Sequence, residues 1–167
     1  MKAILERRSI RKYTGEPVAE DDVKDLLKAA MAAPSAGNEQ PWEFIVVKDR
    51  QLLMEITRVH PYAGMLAEAP LAIIVCGDTK REKYKDYWVQ DCSAAAQNIL
   101  IEAQDKGLGA VWLGVYPTED RVESIRKIFG IPRHVVPMNI ISIGHPGEKK
   151  EPAGRYDESR IHLNKWQ

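Results

Sequence analysis

Residues 33–44 read "APSAGNEQPWEF", and the organisation of the chain follows from what lies on either side of them. To the left, from Asp21 to Ala33, Val23, Leu26, Leu27, Ala30 and Met31 recur at three- and four-residue spacing, which predicts an amphipathic helix that Pro34 stops. To the right, "EFIVVKD" is rich in β-branched residues and predicts a strand. The connector itself holds more than a turn requires. Pro34, Gly37 and Pro41 break the chain, while Ser35, Asn38 and Gln40 supply neutral donors and acceptors in front of Trp42. Such a set suits a planar ligand with polar edges, with Trp42 expected in the core.

The alternation continues outward. "RQLLMEITRV" predicts a short helix and "LAIIVCGD" a buried strand. The longest helical pattern runs from Trp88 to Lys106, with Ala95, Ala96, Ile99, Leu100 and Ala103 as its apolar stripe and Gly107 placed to end it. "AVWLGVY" is a third strand candidate. Thr118 is placed to cap a helix with Val122, Ile125 and Phe129 inward, and "MNIISIGH" is a fourth strand. Helices alternating with strands place the chain in the α/β or α+β class. Ser93, Ala94, Ala95 and Ala96 make one stretch of the long helix narrow, which fits either a close second helix at a dimer core or packing on the chain's own sheet. The end of the chain, "YDESRIHLNKWQ", has modest β character and no evident partner within the domain, so it is expected to fray or to pair with another chain.

Composition narrows the function classes. The 167 residues fit one domain. Lys+Arg and Asp+Glu both number 24, a balance that argues against a nucleic-acid-binding surface over the whole domain. Cys76 and Cys92, each within an apolar pattern, are too few for a disulfide scaffold. No apolar run reaches the 18 to 20 residues of a membrane span, and "MKAILERRS" lacks the apolar stretch of a signal peptide. The expectation is a cytoplasmic protein with no membrane and no nucleic-acid partner.

The second informative stretch is "ERRSIRKY". Arg7, Arg8 and Arg11, beside Ser9 and Lys12, are placed to converge on one anion, and guanidinium forks suit phosphate oxygens at roughly 1.5–3 kcal/mol per charge-assisted bond. An isolated arginine cluster is more often a solvated basic face, and the cluster alone does not choose between the two. Neither a P-loop nor a G-x-G-x-x-G turn is present, and Gly107, Gly109 and Gly114 have the wrong spacing for either. His60, His134, His145 and His162 are scattered and no metal site is expected. No nucleophile or carboxylate pair stands out, so an enzyme built on this chain needs a cofactor for its hard step.

Taken together, "RRSIRKYTGEPV", "LLKAAMAAPSAGNEQPWEFIVV", "QDCSAAAQNILIEAQDKGLGAVWLG" and "IISIGHPGEKKEPAGR" resemble, in order and spacing, the nitroreductase family of FMN-dependent oxidoreductases over nearly the whole chain. The resemblance implies an α+β sandwich over residues 1–167, with a mixed sheet of four to five strands flanked by helices. It further implies a homodimer with two FMN sites at the subunit interface, residues 156–167 embracing the partner. Arg7, Arg8 and Arg11, helped by Ser9, are implied to bind the FMN phosphate and ribityl end, with Arg155 closing on the same phosphate. Pro34, Ser35, Ala36 and Asn38 are implied to wall the flavin from the other subunit, Asn38 addressing the ring edge and Gln40 supporting it or touching ribityl. Leu113 and Gly114 match the turn against the opposite side of the ring, with a backbone N–H near flavin N5. The implied chemistry is ping-pong: NAD(P)H reduces the flavin and leaves, and a nitroaromatic, quinone or similar acceptor takes its place, no side chain acting as nucleophile. A flavin-binding or storage protein with little turnover is the alternative. The segment "DTKREKYKDYW", residues 78–88, is short where larger members cover the active site. Tyr84, Tyr87 and Trp88 either line the pocket or are surface aromatics, the latter being favoured.

Overall fold

The structure is a computed structural model and describes residues 1–166; Gln167, the last residue of the expected tail, lies outside the described residues. A short helix α1 (Lys2–Glu6) leads through an extended segment to α2 (Glu20–Met31). Then come β1 (Trp42–Val47), α3 (Arg50–Val59), β2 (Leu71–Asp78), α4 (Trp88–Asp105), β3 (Gly109–Gly114), α5 (Glu119–Phe129) and β4 (Val135–Gly144). The helices from α2 onward and all four strands fall where the hydrophobic periodicity predicts them. α1 has no buried residue, hence no apolar stripe by which to foresee it.

The strands form one sheet in the order β1-β2-β4-β3. Every strand pair is antiparallel. The mixed character expected of the sheet reduces to one parallel bridge, where the segment after α1 joins β3 at Ser9–Ala110. This places the arginine-rich segment beside an edge strand.

Both faces of the sheet are covered, so the central β2 is continuously apolar from Leu71 to Cys76 rather than alternating, and the central β4 is buried on both faces with Asn139 and Ser142 among its apolar residues. Along β2, Leu71, Ile73 and Val75 face α2 and α4, with Leu26, Ala30, Ala95, Ala96 and Ile99. Ala72, Ile74 and Cys76 face α3 and α5, with Leu53, Ile56, Val122 and Ile125. Ala95 and Ala96 are thus narrow because they sit on their own sheet. Trp42 is buried in the first of these layers, as expected.

Local signals end the helices as anticipated, with one difference. Gly107 follows α4 at φ +73°, and Leu108 N–H closes back on Ala103 O at 2.7 Å. Thr118 stands at the N-terminus of α5, but its hydroxyl makes no capping bond. Asp49 does cap α3, accepting from Gln51 and Leu52 N–H. Among the described residues, no helix is long and apolar enough to cross a membrane.

Candidate functional site

Two ends of the outward edge of β3 gather the expected residues. At its start, Ile10 N–H donates to Ala110 O at 3.1 Å, and Lys150 Nζ donates to Ser9 O at 2.8 Å. Arg8 donates to Glu151 O. The guanidinium of Arg7 is half-buried and its pKa is lowered, first by burial, then by the nearby charges of Arg155 and Arg8. Among the described residues none of these three arginines forms an ion pair with a carboxylate. A half-buried arginine beside two others with no carboxylate partner makes this group a candidate anion site. Arg11 is not drawn into the group; it is exposed, and its backbone N–H donates to Glu148 Oε1 at 2.7 Å.

The Pro34–Gln40 loop stands before β1, on the far edge of the sheet. Three of its residues adopt positive φ: Gly37 at +50°, Asn38 at +55° and Gln40 at +47°. For Gln40 this conformation is disfavoured, and it persists because its surroundings impose it. Gln40 N–H donates to Ser35 Oγ at 3.0 Å, and Gln40 Nε2 donates to Asn38 Oδ1 at 2.8 Å. Gln40 therefore supports Asn38. Behind the loop, Asp91 on α4 accepts Ala36 N–H at 3.0 Å. Glu39 accepts Lys83 N–H at 2.6 Å and Tyr84 N–H at 3.2 Å. Both carboxyls are buried. The pKa of Asp91 is raised, chiefly by burial and further by a hydrogen bond with Glu39 and the charge of Glu82. Tyr84 and Tyr87 are exposed, whereas Trp88 is buried with its ring 5.0 Å from that of Tyr116. In the single chain the first two are thus exposed, Tyr84 beside Gly37 of the loop, and the third belongs to the core.

At the end of β3, Leu113 is buried and Gly114 half-buried. Neither cysteine offers a nucleophile, since burial pushes the Cys76 thiol up to about 12 and raises that of Cys92 as well.

The sequence profile of the nitroreductase family matches residues 4–63 and 51–145. The chain belongs to the nitroreductase family. It is 54% identical over 166 residues to a protein of Methanothermobacter thermautotrophicus provisionally named NADH dehydrogenase/NAD(P)H nitroreductase, a match covering 99% of this chain and 87% of that one. A crystal structure of a Parabacteroides distasonis protein of the same provisional name superposes with a TM-score of 0.96 at 45% identity, covering 99% of this chain and 97% of that one. A Desulfovibrio desulfuricans nitroreductase, also provisionally named and solved in complex with FMN, superposes with a TM-score of 0.86 at 28% identity, covering 99% and 96%.

As a nitroreductase, the chain shows several site features that sequence reasoning missed. Lys150 beside Ser9 had a signal, the basic run "EKK" in the Gly/Pro segment. Glu39 and Asp91 meet only through the fold, and no spacing announces them. His60 and Arg121, which both reach Gly114 O, were among residues that had no reason to be singled out. Within this single chain the arginine group and the Pro34 loop do not close on one cavity. β1 and β3 are the two edges of the sheet, three strand spacings or about 14 Å apart.

Proposed function

We propose that the protein is an NAD(P)H-dependent oxidoreductase that carries FMN, reducing a nitroaromatic, quinone or similar small acceptor by a ping-pong route. The observation that carries this reading is the unpaired group Arg7, Arg8 and Arg155 at one end of an open strand edge whose other end is Gly114. From Ala110 to Gly114 the edge runs four residues, about 13 Å at the usual rise, a length suited to a phosphate at one end, a ribityl chain along it and a ring at the other. The donor set fits FMN: guanidiniums for the phosphate, and neutral backbone and amide groups where the ring would lie.

When bound, FMN supplies the two-electron chemistry that no side chain here can supply. The chain's own groups bind and orient. Arg7, Arg8 and Arg155 neutralise the phosphate, with Ser9 and Arg11 beside it. The Leu113–Gly114 backbone addresses the ring edge. Pro34, Ser35, Ala36, Asn38 and Gln40 form the opposite wall. Because that loop stands on the far edge of its own sheet, it serves the site of a second copy, and the working unit is a homodimer. The apolar side chains of the tail fit the same reading: Tyr156, Ile161, Leu163 and Trp166 are all exposed in the single chain.

The test is a visible spectrum of the purified protein, with FMN added if the protein is colourless, followed by anaerobic NADH and then NADPH. Flavin bands that bleach with one nucleotide support the reading. A protein that takes up no FMN overturns it, and bands that never bleach leave a flavin-binding protein without this reductant. Arg7→Ala and Arg155→Ala should each weaken FMN binding at least tenfold, since one charge-assisted bond is worth roughly 1.5–3 kcal/mol; unchanged affinity in both would remove the phosphate assignment.

A further inference from the structure

Gly114 O is held by two side chains from different elements. Val115 N–H donates to Met138 O at 3.1 Å. By the alternation of an antiparallel pair, the neighbouring Gly114, opposite Asn139, turns both N–H and C=O to the open side of β3. His60 Nε2 lies 2.8 Å from that oxygen, and Arg121 Nη1 donates to it at 3.1 Å. His60 is 2% exposed, and its Nδ1 accepts Tyr62 N–H at 3.2 Å. An imidazole whose Nδ1 accepts carries its proton on Nε2, so neutral His60 is a donor to Gly114 O. Burial holds it neutral by lowering its pKa, and the charge of Arg121 acts in the same direction. Arg121 in turn lies over the Tyr62 ring, 5.5 Å from its centroid, which keeps the guanidinium in place.

A carbonyl oxygen can accept two hydrogen bonds, and on Gly114 both come from side chains fixed elsewhere in the fold, a buried histidine and an arginine, so neither lone pair is left to face what shares the edge. An oxidised flavin presents acceptors along its N5 and C4 carbonyl edge, and a bare strand carbonyl facing them would repel them. With the oxygen covered by two donors, the edge offers Gly114 N–H alone, beside a fixed positive charge.

We propose that His60 and Arg121 are positioning residues, which withdraw the Gly114 carbonyl so that its N–H addresses the flavin edge, Arg121 also favouring the reduced, anionic flavin. The inference rests on the placement of the flavin at Gly114 given above. It is tested with the FMN-loaded protein by measuring the flavin midpoint potential and FMN affinity of Arg121→Met, His60→Leu and His60→Gln. Arg121→Met should lower the ratio of reduced- to oxidised-flavin affinity about tenfold, a fall of about 30 mV for a two-electron couple. His60→Leu should weaken FMN binding and shift the visible bands, while His60→Gln, which keeps an amide donor, restores most of both. A purely structural role would lower thermal stability and leave the potential where it was. If His60→Leu does not fold, Arg121→Met and His60→Gln still decide. Folded Arg121→Met with the wild-type potential overturns the inference and spares the flavin reading. A wild-type protein that binds no FMN overturns both.

Discussion

Asp91 and Glu39 present two carboxyls where water scarcely reaches. They are 5% and 6% exposed, and Asp91 Oδ2 and Glu39 Oε1 have no hydrogen-bond donor when both are ionised. A hydrogen bond between them requires one to keep its proton, which is why burial and Glu39 together raise the Asp91 pKa. The other groups facing the pair are Glu82, which adds negative charge, and the Ala36, Lys83 and Tyr84 N–H groups, which accept none of the excess proton. The sign follows from linkage. A carboxyl whose folded pKa lies above its unfolded value, about 3.9 for Asp, holds more proton in the folded state. Its contribution to stability is complete below the unfolded pKa and is lost as pH rises through the folded one. Asp91→Asn keeps an acceptor for Ala36 N–H and offers Glu39 a permanent donor. The variant should therefore gain stability relative to wild type as pH rises from about 4 to 8, read from urea midpoints across that range. Curves that stay parallel across that range would show that no proton is shared.

At the scale of elements, the junction between the arginine segment and β3 is the sensitive one. Gly109 faces Ile10 so closely that an added Cβ would stand 2.7 Å from Ile10 Cγ2. Gly109→Ala must push Ile10, and with it Ser9 and the arginines, off the strand edge. Overpacking of this kind costs about 1–3 kcal/mol, and FMN affinity should fall tenfold or more. Ile141→Ala, in the fully buried centre of β4, should cost about 2–5 kcal/mol by leaving a cavity. Because Ile141 lies between sheet and α4, FMN affinity in the folded fraction should barely change. Titrating FMN into both variants separates the effects, and equal losses of affinity would mean that the Ser9–Ala110 junction has no special role. The same contrast explains what could be read in advance. β2 and α4 were legible because a buried strand and an amphipathic helix each impress a period on their own residues. The strand order was not, because β4 enters between β2 and β3 through contacts that leave no local trace. Likewise Arg7 and Arg8 are neighbours in sequence and were legible as a group, and Arg155 joined them only through the family resemblance, whereas the Glu39–Asp91 pair and the two donors on Gly114 O exist only once the chain has folded.

For the molecule as a whole, the tail is the test of how complete one chain is. Beyond Arg155 the described backbone contributes no strand and only a three-residue turn of 3-10 helix, Glu158–Arg160. Yet it carries Tyr156 at 79% exposure and Trp166 at 87%, with Ile161 and Leu163 also exposed. Four large apolar side chains in a segment that makes no core of its own are costly to leave in water. Each contributes roughly 1.5–3 kcal/mol when fully buried, so burial against a second copy would yield several kcal/mol per tail even after the cost of ordering it. If residues 156–167 hold the partner, a chain ending at Arg155 should dissociate at concentrations at least a hundredfold higher than the full chain does, as measured by sedimentation equilibrium. FMN binding should weaken in parallel, because the Pro34–Gln40 loop of the second copy leaves with it. Should the truncated chain remain dimeric at nanomolar concentration, the tail is not what joins the subunits. Should the full chain itself be monomeric while binding FMN tightly, the opposite wall of the site must come from its own chain, and the 14 Å between the two sheet edges would have to be bridged by the flavin or by movement of the loop.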